Sequence, residues 1–163
     1  MGYVLSFFIL KRDEIEKMLE SRIRDILHEL CPPLEIEENM PVEIFIDTVK
    51  SKGIDAAIVV GRKGKVVGIV TRLDLLKILH LEVPYRLRVL ALPRHPKVEK
   101  ITIREIMTRN PITIRETAKV RDAIDLMSKY KISHIIIVDS KGKPKAIFSR
   151  RYLLKKVFGI EEH

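Results

Sequence analysis

VTRLDLLKIL, residues 70–79, returns as FSRRYLLKKV at residues 148–157. The second copy keeps the hydroxyl, the arginine and the Leu-Leu-Lys, but Asp74 has become Tyr152. Self-similarity at a fixed offset decides architecture before any local pattern does. A shift of 78 residues lays residues 33–79 over residues 111–157 without a gap. Coinciding pairs include Pro33/Pro111, Asp47/Asp125, Gly64/Gly142, Arg72/Arg150 and Leu75/Leu153. A whole structural unit is therefore present twice.

Each copy has the same grammar. A short strand, LEI or ITI, comes first, and a helix follows. In the second copy Val120, Ile124 and Met127 recur at helical spacing, with Ala123 beside them. A continuous apolar run, AAIVV or HIIIV, is short enough for a buried strand. RKGK or SKGK then makes a tight turn in which Gly64 or Gly142 supplies a positive φ cheaply. The next strand, VVGIV or KAIF, pairs back as a hairpin and runs into a helix that starts at Thr71 or Ser149. Each unit reads β-α-β-β-α, and the chain is an α/β pair.

Outside the units, Ile15, Met18, Leu19, Ile23 and Ile26 predict an amphipathic helix over residues 12–30. The expected boundaries are an N-terminal strand and helix extension at 1–30, unit one at 31–80, a linker at 81–103, unit two at 104–158 and a tail at 159–163. Pro84, Pro93 and Pro96 punctuate the linker, RLRVLAL alternates within it, and TIREIMT reads as a short helix entering unit two. The apolar run at residues 3–10 is too short to span a bilayer. Its charges follow rather than precede it, unlike a signal peptide. It reads as a strand or helix start docking on the core.

Apolar residues make up 46% of the chain and aromatics only 6%, so the core is built from Ile, Val and Leu. Charged residues at 33% give a thermophile-like balance. One cysteine, Cys31, excludes an internal disulfide and paired-cysteine metal sites, fits a cytoplasmic setting, and reads as a small packed residue. The net charge of +9 is concentrated in residues 81–163, where 19 basic residues face 9 acidic ones. That asymmetry points to an anionic ligand or partner.

The stretches GIVTRLDLL (68–76), IVVGRKGK before it, IMTRNPITI (106–114) and ISHIIIVDSKGK (132–143) resemble a tandem pair of CBS domains, a Bateman module. The resemblance covers roughly residues 30–158. It implies two units packed with pseudo-twofold symmetry. It implies clefts that bind adenosine ligands (AMP, ADP, ATP or S-adenosylmethionine), and no cofactor. It also implies a homodimer and a regulatory role read by an effector protein, without catalysis.

Thr71 and Asp74 bring a hydroxyl and a carboxylate to one helix start. Two readings follow from the spacing: an acceptor for a ribose diol beside a helix N-terminus, or a capping box that serves the helix itself. By the resemblance, the Asp74 cleft is walled by Thr108, Pro111 and the backbone of Ile132 and Ser133. Arg109 and Arg72 are then its phosphate candidates, with solvated surface charge as their plain alternative. The other cleft departs from the pattern. Ser149 keeps the cap, but Tyr152 is no charged acceptor, and its ring either fills the adenosine space or stacks on a base. His134 stands where nucleotide-sensing relatives carry a basic residue, and its counterpart is Ala56; a packed or surface role is the plain alternative. One competent site, or two of unequal affinity, is expected.

Two other function classes remain open: a nucleic-acid-binding basic module and a purely structural dimerisation module with empty clefts. The chain has no His-Glu-x-x-His, phosphate-binding glycine loop, Gly-x-Ser-x-Gly or Cys/His cluster, which argues against an enzyme.

Overall fold

The computed structural model describes residues 8–79 and 101–161. The start of the N-terminal apolar run and the RLRVLAL stretch of the linker lie outside the described residues; residues 8–10 are irregular.

Both repeats fold as their patterns dictate. In the first, strand β1 (Glu35–Glu37) leads to a helix over Val42–Lys52, then to β2 (Ala56–Val60) and β3 (Val66–Thr71). In the second, β5 (Thr113–Arg115) leads to a helix over Val120–Tyr130, then to β6 (His134–Val138) and β7 (Pro144–Ser149). The strand pairing repeats with the offset of the sequence. Glu35 faces Ile58 and Thr113 faces Ile136 in the parallel pairs. Val59 faces Gly68 and Ile137 faces Ala146 in the hairpins. Gly64 and Gly142, at φ +68° and +78°, close those hairpins in the left-handed region. The central runs AAIVV and HIIIV are buried over nearly their whole length, as a strand covered on both faces must be.

The chain divides into two compact units, and the division does not follow chain order. One unit is continuous, Leu34–Pro111. It contains the first repeat plus a one-turn helix at Ile103–Ile106 and strand β4 (Thr108–Arg109), which adds to the edge of β3. Its sheet runs β1-β2-β3-β4 over a core of Phe45, Ala57, Val59, Val70, Ile103 and Ile106. The other unit combines the second repeat, with sheet β5-β6-β7, and the segment up to Pro33. Its core holds Ile23, Val120, Ala123, Ile135, Ile137 and Phe148.

The segment preceding each repeat's first strand (β1 or β5) thus packs in the unit of the other repeat, and it does so with one set of bonds. Ile103 N–H donates to Met40 O at 2.9 Å and Arg104 N–H to Glu38 O at 2.8 Å. In the other unit Ile23 N–H donates to Ala118 O at 2.9 Å and Arg24 N–H to Glu116 O at 2.8 Å. Those bonds correct the single helix expected over 12–30. The α-helix ends at Glu20, Ser21 is extended, and Ile23–Glu29 form a separate, tighter 3₁₀ stretch. The amphipathic period ran on because Ile23 and Ile26 are buried, but in the core of the second repeat. Cys31 is also corrected: it is exposed, and its backbone pairs with Ile147 at a sheet edge.

Candidate functional site

Asp74 is the one charged side chain buried among the described residues, at 7% exposure. The fold places it there. β3 ends at Thr71, whose extended backbone caps a 3₁₀ turn over Arg72–Leu76, and Asp74 is the third residue of that turn. Its Oδ2 accepts from Thr71 N–H at 2.8 Å and from Thr71 Oγ1 at 3.0 Å. Its Oδ1 meets the Lys77 ammonium at 2.7 Å. The same ammonium donates to Ile106 O at 2.7 Å. Burial of a carboxylate is tolerated only with such partners.

Within the Leu34–Pro111 unit the structure brings several expected site residues onto one sheet edge. Thr108 pairs with Ile69 and Arg109 with Gly68, on the strand that delivers Thr71. The approach is close: a Cβ built on Gly68 would stand 2.6 Å from Met107 Sδ and 3.1 Å from Thr108 O. Both β4 side chains are exposed, and Pro111 is half-buried. Arg72 is committed locally. Its Nε donates to Ile54 O at 2.9 Å and lies 3.3 Å from Asp55 Oδ1, and its N–H donates to Asp55 O.

The remaining expected residues belong to the other unit. Ser149 Oγ accepts from Tyr152 N–H at 3.2 Å, so the second corner keeps its cap. Ser133 O accepts from Arg150 N–H at 2.9 Å, as Asp55 O does from Arg72. Ile132 packs on the core, and His134 opens β6 opposite Ser149. Tyr152 is a packed residue with a bound hydroxyl. Its ring lies 5.6 Å from that of Phe148, tilted by 59°. Its hydroxyl donates to Glu29 Oε2 at 2.9 Å, and Lys156 Nζ donates to the same oxygen at 2.7 Å. The Lys156 ammonium holds the Glu29 carboxyl below its usual range. Burial first, then the Glu29 carboxylate, pushes the Tyr152 phenol well above the ordinary tyrosine value.

Two residues of these corners escaped the sequence reading. Lys77 was visible only as part of the repeated Leu-Leu-Lys. Glu29 lies in a segment whose equivalence to the linker was legible: SRIRDIL (21–27) matches ITIREIM (101–107), at an offset of 80 rather than 78. The offset returns to 78 at Pro33, so two extra residues fall between Ile26 and Pro33 in the N-terminal version, the stretch that holds Glu29.

The profile of the CBS domain matches residues 22–81 and 103–159. The chain belongs to the CBS domain family. Each match includes the short segment before that copy's first strand, β1 or β5, so each CBS copy is longer than the gapless repeat. Among curated relatives, protein MJ1404 of Methanocaldococcus jannaschii is 32% identical over 124 residues, 76% of this chain. The L-aspartate semialdehyde sulfurtransferase of the same organism is 33% identical over 117 residues, 72% of this chain. This CBS pair spans 26% and 19% of those two proteins, so the resemblance covers a part of each. Among solved structures, the CBS domain pair of protein MJ0100, in complex with 5′-methylthioadenosine and S-adenosyl-L-methionine, is 29% identical. The likeness covers 83% of this chain and 94% of that one, with a TM-score of 0.65. Among the described residues no helix is long and apolar enough to cross a membrane, and no three His, Cys, Asp or Glu side chains are grouped to hold a metal ion.

Proposed function

We propose that this CBS pair is a regulatory module that binds an adenosine-containing ligand through the Thr71–Asp74 corner and passes its occupancy to an effector protein. The observation that carries the reading is the buried Asp74 carboxylate on the first turn after β3, beside the exposed Thr108–Arg109 edge. A carboxylate accepts both hydroxyls of a ribose, and the neighbouring main-chain and apolar surface suits a base. The complex of the MJ0100 pair with two adenosine compounds supports the ligand class. Thr108, Arg109 and Pro111 complete the proposed site within the Leu34–Pro111 unit, with Arg109 as the phosphate candidate. Arg72 contributes by holding the corner to Ile54 and Asp55.

The Tyr152 corner is the altered one. It presents a neutral phenol already engaged by Glu29, so the proposal assigns one adenosine site of useful affinity to each chain. A homodimer in the cytoplasm completes the reading. Leu73, Leu76 and Leu79 recur every third residue and are 74%, 56% and 60% exposed, an apolar row suited to a second copy.

A purely structural corner is the second reading, favoured by the way Thr71 and Lys77 already satisfy Asp74. Titration calorimetry with AMP, ATP and S-adenosylmethionine on the wild type and Asp74→Ala separates the two. Binding to the wild type that Asp74→Ala abolishes supports sensing. A folded wild type that binds none of them leaves the structural corner.

A further inference from the structure

We infer that Lys77 competes with ligand for Asp74, and so sets how strongly the site distinguishes a ribose from a deoxyribose. The inference rests on the adenosine reading and adds a residue to it. An ionised carboxylate has about four acceptor positions. Among the described residues three donors address Asp74: Thr71 N–H and Oγ1 on Oδ2, and the Lys77 ammonium on Oδ1. A vicinal diol brings two donors and finds one position open. Both Thr71 bonds lie within the helix start, where Thr71 and Asp74 cap each other, and Thr71 N–H is fixed there by the backbone. The Lys77 bond can break, because its side chain is 48% exposed and its ammonium keeps a second acceptor, Ile106 O, at 2.7 Å. A diol therefore takes Oδ1 from Lys77, whereas a single hydroxyl takes the open position and leaves Lys77 in place.

The second repeat shows that this amine follows the acid. Lys155 occupies the register of Lys77, but Tyr152 stands where Asp74 would be. Lys155 pairs instead with Glu161, at 2.9 Å on the surface. Lys77 is thus a positioning residue. It shields a buried carboxylate in the empty site, and its other bond ties the corner to the last residue of the Ile103–Ile106 helix, two positions before Thr108.

The test compares adenosine with 2′-deoxyadenosine, both uncharged, on the full chain as wild type and as Lys77→Met. A partly exposed ion pair of this kind is worth about two- to fivefold in a binding constant. Adenosine is expected to bind Lys77→Met about two- to fivefold more tightly, with 2′-deoxyadenosine unchanged. Lys77→Gln, which keeps a neutral donor for Ile106 O, repeats the measurement should the methionine variant fail to fold. An unchanged adenosine-to-deoxyadenosine ratio, or weaker adenosine binding, in a folded variant overturns the role of Lys77 and leaves the adenosine site standing. A folded wild type that binds no adenosine overturns both.

Discussion

Gly68 is the position where one added methyl group reports on the site's scaffold. It lies on β3 opposite Arg109, and a Cβ there would meet Met107 Sδ at 2.6 Å and Thr108 O at 3.1 Å. The thioether can swing aside, because methionine is unbranched and flexible. The carbonyl belongs to β4 and moves only with its strand. Overpacking of this sort costs about 1–3 kcal/mol. Against that, replacing glycine narrows the unfolded ensemble and returns about 0.4–1 kcal/mol. Gly68→Ala is therefore expected to destabilise by about 1–2 kcal/mol, lowering the melting temperature by about 2–8 °C for a chain of this length. Relief comes from Met107→Ala, so the double variant should lose less than the sum, with a coupling of at least about 0.5 kcal/mol. The second repeat supplies the control. Ala146 holds the same register, buried at 1% exposure, where the neighbouring edge is only the single Cys31–Ile147 bridge. Urea titration followed by circular dichroism measures all three variants. If Gly68→Ala raises the midpoint in both backgrounds, β4 does not approach β3 as described, and the placement of Thr108 and Arg109 falls with it.

Other outcomes follow from the same geometry. The raised Tyr152 phenol should ionise above pH 10, so the stabilisation from its contact with Glu29 persists below that pH and fades as the phenol titrates. Ultraviolet titration should show a late step that Tyr152→Phe removes and Glu29→Gln brings to lower pH. The Glu29 carboxyl is depressed below 4.5, so its contribution is present above that pH and is lost as acid protonates it. Acid unfolding of Glu29→Gln should accordingly be shallower than that of the wild type. Phe45→Ala, at a position 1% exposed, should cost about 3–5 kcal/mol in a denaturant titration. For the proposed dimer, Leu73→Glu with Leu76→Glu should reduce the sedimentation mass to that of one chain while leaving the melting temperature within a few degrees, since both side chains are exposed; an unchanged mass removes this row from the proposal.

The repeat made the strands, hairpins and helix starts readable, because each depends on residues within a few positions. AAIVV and HIIIV can be buried strands wherever they land, and Gly64 and Gly142 must turn. Which unit a segment joins was not readable in the same way. Ile23 and Ile26 continue the helical period of Ile15 and Met18, yet backbone bonds to Ala118 and Glu116, almost a hundred positions away, take them out of that helix. The Thr71–Asp74 corner was half legible. The Asp74-to-Tyr152 change marked it, and the spacing left capping and ligand binding both standing. Asp74 does cap, through Thr71. What no local pattern carried was the use of Lys77 and Glu29, because each is defined by an atom from another element: Ile106 O for the first, the Tyr152 hydroxyl for the second.

The nesting of one unit inside the other sets an order of assembly. Leu34–Pro111 is contiguous, so its contacts close within one stretch of chain. The other unit must join halves separated by that whole stretch, as in the bond from Arg22 to Thr117 O, 95 positions apart. Closing so long a flexible loop carries an entropic penalty that grows with its length. Once the inner unit has formed, its ends leave from β1 and β4, opposite edges of one four-stranded sheet. Three strand spacings separate those edges, about 14 Å. A rigid span of that size replaces the flexible loop, and the outer halves start near one another. Pulse-labelled hydrogen exchange should then protect the Ile58 amide before that of Ile23, and the reverse order would refute this sequence of events. The continuous unit, in this sense, shortens the loop that the discontinuous one has to close.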